Sequence, residues 1–231
     1  MAYTTTTRAT LRTRVTERLI TNFWSTSEIN AYIAEALRVW NVLTGSNVDI
    51  YSSVAVIPNQ QVYTIAQITG GSSDPLFILR LESATDSTTF GTIDLRILSH
   101  YTPTWFSQTD TTIQNWCQVG QNNLVLYPKT TSSLLLNVYA VDRAEVPTGD
   151  SSTIQVSEED MPAIIDYCTF IARLKESGSE FQESIGLLQN FLKAAARYNS
   201  MILQTSLYRK VMGTPFQTRQ RPDTTAHVPP R

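Results

Sequence analysis

Apolar positions along this chain follow two different rhythms, helical at both ends and strand-like in the middle. From Ser179 to about Arg209, Phe181, Ile185, Leu188, Leu192, Ala195, Tyr198 and Ile202 recur at three- and four-residue steps, which predicts one long helix with a continuous apolar face. Leu187, Phe191, Ala194 and Met201 widen that face, so more than one neighbour must cover the helix. At about 1.5 Å per residue it would be roughly 45 Å long. Ser179 with Gln182 three residues on has the form of a capping box. Just upstream, Glu159 to Glu176 holds Ile164, Ile165, Tyr167, Cys168, Phe170, Ile171 and Leu174 with few polar interruptions, which predicts a helix buried nearly all round. Pro162 suits its first turn, and Lys175 with Gly178 marks its end. Together the two segments predict an αα-hairpin.

The N-terminal end reads in the same way. Leu11, Val15 and Leu19 mark one face of a helix from about Thr10 to Ile20. Phe23 and Trp24 form an aromatic corner, Ser25 and Glu28 make a capping box, and Ile29, Ile33, Ala36, Leu37, Trp40 and Leu43 line a second helix that Gly45 ends. From Val48 the period shortens. Val48–Tyr51, Val54–Ile57, Gln61–Ile65, Leu76–Ala84 and Thr92–Leu98 predict strands, while Leu124–Pro128 and Leu134–Ala140 predict a hairpin. Short β-branched runs without a strand–helix alternation argue against a doubly wound nucleotide fold. The expectation is α+β: a helical bundle of two N-terminal helices plus the C-terminal αα-hairpin, with an inserted antiparallel β-sandwich or small barrel. The boundaries fall at 1–46 for the N-terminal helices, 47–150 for the β domain, 151–209 for the helices that complete the bundle, and 210–231 for an extended tail.

Charge adds a polarity to this picture. Arg8, Arg12, Arg14 and Arg18 against Glu17 leave residues 1–20 at +3, and Arg209, Lys210, Arg219, Arg221 and Arg231 against Asp223 leave residues 209–231 at +4. With a total of −2, the body between them carries −9. Basic ends flanking an acidic body suit self-association or an acidic partner at either end. Pro215, Pro222, Pro229 and Pro230 exclude a continuous helix in the tail, where Phe216 is the only large aromatic anchor. No apolar run approaches the roughly 20 residues of a membrane span, and the N-terminus has no secretion-signal pattern. The two cysteines, Cys117 and Cys168, read as free packing thiols.

Catalytic chemistry finds little support. The only histidines are His100 and His227, and there is no Cys-x-x-Cys, Gly-x-Ser-x-Gly or phosphate-binding glycine loop. Neither a cofactor nor a metal is expected: Glu158-Glu159-Asp160 reads better as a helix-start charge cluster than as a cation site. Tyr101, Trp105, Phe106 and Trp116 have the side chains to stack on sugars or bases, but core or subunit packing is the favoured role. The expectation is a protein that binds neighbours rather than an enzyme.

The order of these elements resembles the head–tail connector (adaptor, or head-completion) proteins of tailed bacteriophages. The resemblance rests on Leu11–Val15 followed by Phe23–Asn30 and Ile33–Leu37, on Leu124–Pro128 followed by Leu136–Ala140 as a hairpin, and on Glu159–Cys168 as the return to helix. The β insertion looks like the short-tailed-phage type. The resemblance implies a virion protein at the head–tail junction, assembled in the host cytoplasm as a ring of about twelve copies beneath the portal protein. It also implies a channel through which double-stranded DNA passes without sequence-specific binding, and contact with tail or nozzle proteins. Arg209, Lys210, Phe216, Arg219 and Arg221 are the expected portal-binding residues. Another tail component (tail tube, nozzle or baseplate) or a DNA-binding module are the alternatives.

Overall fold

The structure, a computed structural model, describes residues 6–19, 23–71, 75–176 and 179–204. Helix α1 (Arg8–Leu19) buries Leu11, Val15 and Leu19, the three residues its spacing singled out. Helix α2 (Thr26–Thr44) starts at Ser25, whose hydroxyl accepts from the Glu28 N–H while the Glu28 carboxylate accepts from the Ser25 N–H, and it ends at Gly45 in the left-handed conformation (φ 60°). The chain then enters β1 (Val48–Val56), β2 (Val62–Thr64), the one-turn helix α3 (Ile65–Ile68) and β3 (Pro75–Ser83). After β4 (Gly91–Thr92) come helix α4 (Leu95–Tyr101) and a 3-10 turn at Trp105–Ser107. Strands β5 (Thr109–Asp110), β6 (Asn115–Val119), β7 (Asn123–Tyr127), β8 (Lys129–Thr130) and β9 (Leu134–Asp142) follow, and helices α5 (Met161–Glu176) and α6 (Ser179–Gln204) complete the described chain.

The fold is α+β, with a hydrophobic core in each part. In the helical part, α5 packs against α1, α2 and α6. Trp40, Ile33, Leu37, Ile164, Ile165, Cys168, Phe191 and Ala195 fill the space between them. Trp40 meets the rings of Phe191 and Tyr198 at centroid separations of 5.7 Å each. The direction of each helix follows from its end contacts: Lys175, near the end of α5, pairs with Glu28 at the start of α2, while Asp160, just before α5, lies 3.8 Å from Arg197 on α6. Helix α5 therefore runs antiparallel to both. It begins at Met161, two residues later than expected. Ser157 and Asp160 form a turn there, with the Asp160 N–H reaching the Ser157 hydroxyl (3.3 Å), and Pro162 occupies the first helical turn.

The strands form sheets ordered β1-β9-β3 and β2-β7-β6-β4, plus the pair β5-β8. Both larger sheets contribute to one core, where Val56, Tyr63, Leu81, Trp116, Leu124, Leu126, Leu136, Val138 and Ala140 meet. Three expectations change here. The hairpin is β6–β7, turning at Gly120 (φ 65°), because β7 pairs with β6 and β2 whereas β9 lies in the other sheet between β1 and β3. The expected strand Thr92–Leu98 is mostly helix α4, because Asp94 caps it by accepting from the Arg96 N–H (2.7 Å). The pairing is not antiparallel throughout: β4–β6 and β5–β8 are short parallel pairs.

Asn41, buried near the end of α2, ties the two parts together. Its Nδ2 donates to the Asp142 carbonyl (2.7 Å) and its Oδ1 accepts from the Asn47 N–H (2.8 Å). One amide thus holds both the chain entering the β part and the chain leaving it. The Asp142 N–H donates to the Asn47 carbonyl (2.9 Å), and the Asn47 side chain reaches the Arg143 carbonyl (2.7 Å), which closes the junction.

Candidate interaction surfaces

Helix α6 is the most prominent candidate, with 26 residues and a length of about 39 Å. Its buried side is Ser184, Phe191 and Ala195, flanked by half-buried Leu187, Leu188, Ala194 and Tyr198. Ile185, Leu192 and Met201, all read from the spacing as apolar-face residues, are exposed instead. The wide apolar face does call for more than one neighbour, and among the described residues α2 and α5 cover only one side of it. The cap at Ser179 and the side chains of Phe181 and Ile202 lie outside the described residues, as do the expected portal-binding residues Arg209, Lys210, Phe216, Arg219 and Arg221.

The basic N-terminal end has its acidic partner within the chain. Arg8 and Arg12 both reach Asp150 (2.8 and 2.7 Å), Arg14 reaches Glu158 (3.2 Å), and Arg18 pairs with Asp166. The Arg8 guanidinium also donates to the Pro147 carbonyl (2.9 Å), while the Arg8 and Ala9 N–H groups donate to Ser152 and Asp150. Arg8, Arg12 and Arg14 therefore clasp the segment returning from the β part, and Arg18 reaches α5. Hydrogen bonds from Arg12 and then Arg8 hold the Asp150 carboxyl well below the usual carboxylate range. Lys175, with hydrogen bonds from Ser25, pulls Glu28 down to about 2. Lys175 also lies over the Phe23 ring (5.3 Å).

The aromatic set of the β region is split. Trp116 is in the core and Trp105 is half-buried, but Tyr101 and Phe106 are 79% and 62% exposed. They are joined by Ile97 at 52%, which sequence reasoning placed in a strand. The i, i+4 relation of Ile97 and Tyr101 only becomes meaningful once Asp94 is recognised as a cap. A cleft of about 580 Å³ lies between the end of α2 and the β part, lined by residues including Val42, Ile65, Phe77 and Arg143.

Among the described residues no group of His, Cys, Asp and Glu has the arrangement to hold a metal ion. Of the acidic run, Glu158 faces Arg14 and Asp160 faces Ser157. Cys117 and Cys168 are free and buried, and burial pushes both thiols up, away from the reactive thiolate. Among the described residues no helix is long and apolar enough to cross a membrane.

Comparison with known proteins places the chain in a family. A family model described as SU10 adaptor protein matches residues 6–224, which takes in the helices at both ends and the whole β part. The chain belongs to this family. The family is one of phage head–tail adaptors, structural proteins rather than enzymes. A comparison with curated proteins found no match.

Proposed function

We propose that this adaptor assembles as a ring of about twelve copies beneath the portal of a tailed phage, extends the DNA channel, and presents a platform to which tail or nozzle proteins attach. Residues 1–46 and 151–209 act as a helical bundle, 47–150 as an inserted sandwich-like β part, and 210–231 as an extension that docks on the portal. The observation that carries this reading is the family match across residues 6–224. It is supported by α6, a rod whose exposed Ile185 and Leu192 offer a neighbouring copy an apolar edge, and which leads toward a segment carrying +4 over residues 209–231. Arg209, Lys210, Phe216, Arg219 and Arg221 make the portal contact, since arginine forks suit paired carboxylates and Phe216 supplies an apolar anchor. Duplex DNA passes without being gripped, because strong phosphate binding needs a dense cationic lining and the body of the chain between residues 20 and 209 is acidic.

The test is deletion of residues 211–231. The truncated chain should keep its circular dichroism and melting temperature while portal docking, imaged by electron microscopy with portal particles, disappears. Unchanged docking would overturn the assignment of the portal contact.

A further inference from the structure

We propose that Leu207 and Tyr208, the first apolar pair after the described end of α6, seat in the chain's own cleft between the end of α2 and the β part. The pair thereby fixes where the basic segment 209–231 leaves the body. This goes beyond the adaptor reading, which concerns what that segment reaches rather than where it starts.

The cleft calls for an apolar occupant. Val42, Ala66, Leu76 and Phe77 wall its volume of about 580 Å³. Val42 and Ala66 are exposed, and Leu76 and Phe77 are half-buried. These walls are held in place. Asn41, one residue before Val42, bonds the chain on both sides of the junction. The Thr64–Gln67 capping box fixes α3, whose Ile65 N–H donates to the Asn122 carbonyl (2.8 Å). A preformed, mostly apolar hollow of this size suits large side chains and loses little entropy in taking them. Thr64, Gln121 and Asn122 add a polar rim, which fits a tyrosine, apolar along its body and polar at its tip.

The position of α6 selects the occupant. It runs in the same direction as α2, and the Asn199 Nδ2 donates to the Leu43 carbonyl (2.9 Å), one residue from Val42 in the cleft wall. Gln204, where the described chain ends, lies about 7.5 Å further along the axis, past the end of α2 at Thr44. Tyr208 follows within about 14 Å of Gln204, however the four residues between them run. Exposed Leu43 gives that path an apolar surface. The other undescribed segment at the cleft, Ser72-Ser73-Asp74 beside Pro75, has no apolar side chain to offer. Leu207 and Tyr208 bring two large ones, and Arg209 and Lys210 follow directly.

The experiment uses the full-length chain alone, without portal or tail proteins, so its outcome is independent of the adaptor reading. Cys117 and Cys168 are buried, so under a mild oxidant an engineered pair of exposed cysteines is the pair that reacts. Val42→Cys/Tyr208→Cys should close within one chain about 10-fold faster than Ser27→Cys/Tyr208→Cys, because anchoring raises the local concentration of residue 208 at the cleft. Ser27 is exposed in the first turn of the same helix, about 22 Å from Val42. Trypsin should cut wild type after Arg209 and Lys210 about 10-fold more slowly than after Arg219 and Arg221. Leu207→Ser/Tyr208→Ser and Val42→Asp should each remove that protection. Each variant is checked for a wild-type melting temperature, and Leu207→Ser/Tyr208→Ser serves alone if Val42→Asp unfolds. Equal closure at Val42 and Ser27, or unchanged cleavage in the variants, overturns the proposal. Disulfide-linked pairs of chains in place of closed single chains assign the cleft to a neighbouring copy's segment and overturn it as well.

Discussion

In the helical part the charged side chains sit at the rim of the core and pair across it, as Arg8 and Arg12 do with Asp150 and Lys175 does with Glu28, all with carboxylates that keep a third or more of their surface in water. In the β part the comparable pair is inside. Arg80 and Glu82 meet at 2.8 Å with 15% and 8% of their side chains exposed, Glu82 also accepts from the Tyr139 hydroxyl (2.6 Å), and that bond is the main reason the Tyr139 hydroxyl is pushed up from its ordinary value. Rim pairs set the direction in which helices lie against one another but add little stability in water, where salt screens them. An enclosed pair is strong only while every partner stays in place. The same kinds of residue therefore do different jobs: orientation in one part, rigidity in the other.

The comparison can be broken most forcefully at Trp40, which is 1% exposed and meets Phe191 and Tyr198. Trp40→Ala should cost about 4 kcal/mol by leaving a cavity where α2 meets α6. Hydrogen exchange should then accelerate in α2, α5 and α6 well before β9; equal acceleration in β9 would mean that the two cores open as one. Asn41→Ala comes next, at about 2 kcal/mol, because it strands the Asp142 carbonyl and the Asn47 N–H. Its signature is faster exchange at residues 45–47 and 141–143 with the interior of both cores unchanged, and an unchanged junction would deny Asn41 its role as the staple.

Acid has the smallest effect and separates the parts by chemistry. Asp150 and Glu28 have folded values held below their unfolded ones, so their contribution is full above about pH 4.5 and is lost as pH falls, with Glu28 releasing Lys175 toward pH 2. Titration downward from pH 5 should therefore loosen the Arg8 and Ala9 amides at the start of α1 before the β-part amides, and molar salt should do the same at neutral pH. Arg12→Ala should reproduce that loosening at pH 7 with a smaller fall in melting temperature than Asn41→Ala gives. If β9 exchanges first in acid, the assignment of titratable holding to the helical part fails.

Local pattern was enough for the four long helices, because a stripe at 3.6-residue spacing, a Ser25/Glu28 box and a terminal Gly45 each act within a few residues of where they are read. The same kind of signal stands at Thr64 and Gln67, a capping box that opens α3, and at Asp94, which caps α4, but there β-branched neighbours favour a strand reading. The shared exposed face of Ile97 and Tyr101 exists only in that helix. The partnership of β7 was of another order. Leu124–Pro128 reads as a hairpin with Leu134–Ala140, but a strand's neighbours depend on which segments present matching edges, and β7 pairs with β6 and β2 instead.

By itself the sequence determined the four long helices, where the period changes, and which family its order of elements resembles. Those are local or compositional properties. Tertiary structure alone decided that Arg8, Arg12, Arg14 and Arg18 face the chain's own acids, that Ile185 and Leu192 stay outside the seam, and that Asn41 holds two passing chains at once. Each of these depends on what long-range folding brings within a few ångströms of a side chain, and spacing along a chain carries no record of that.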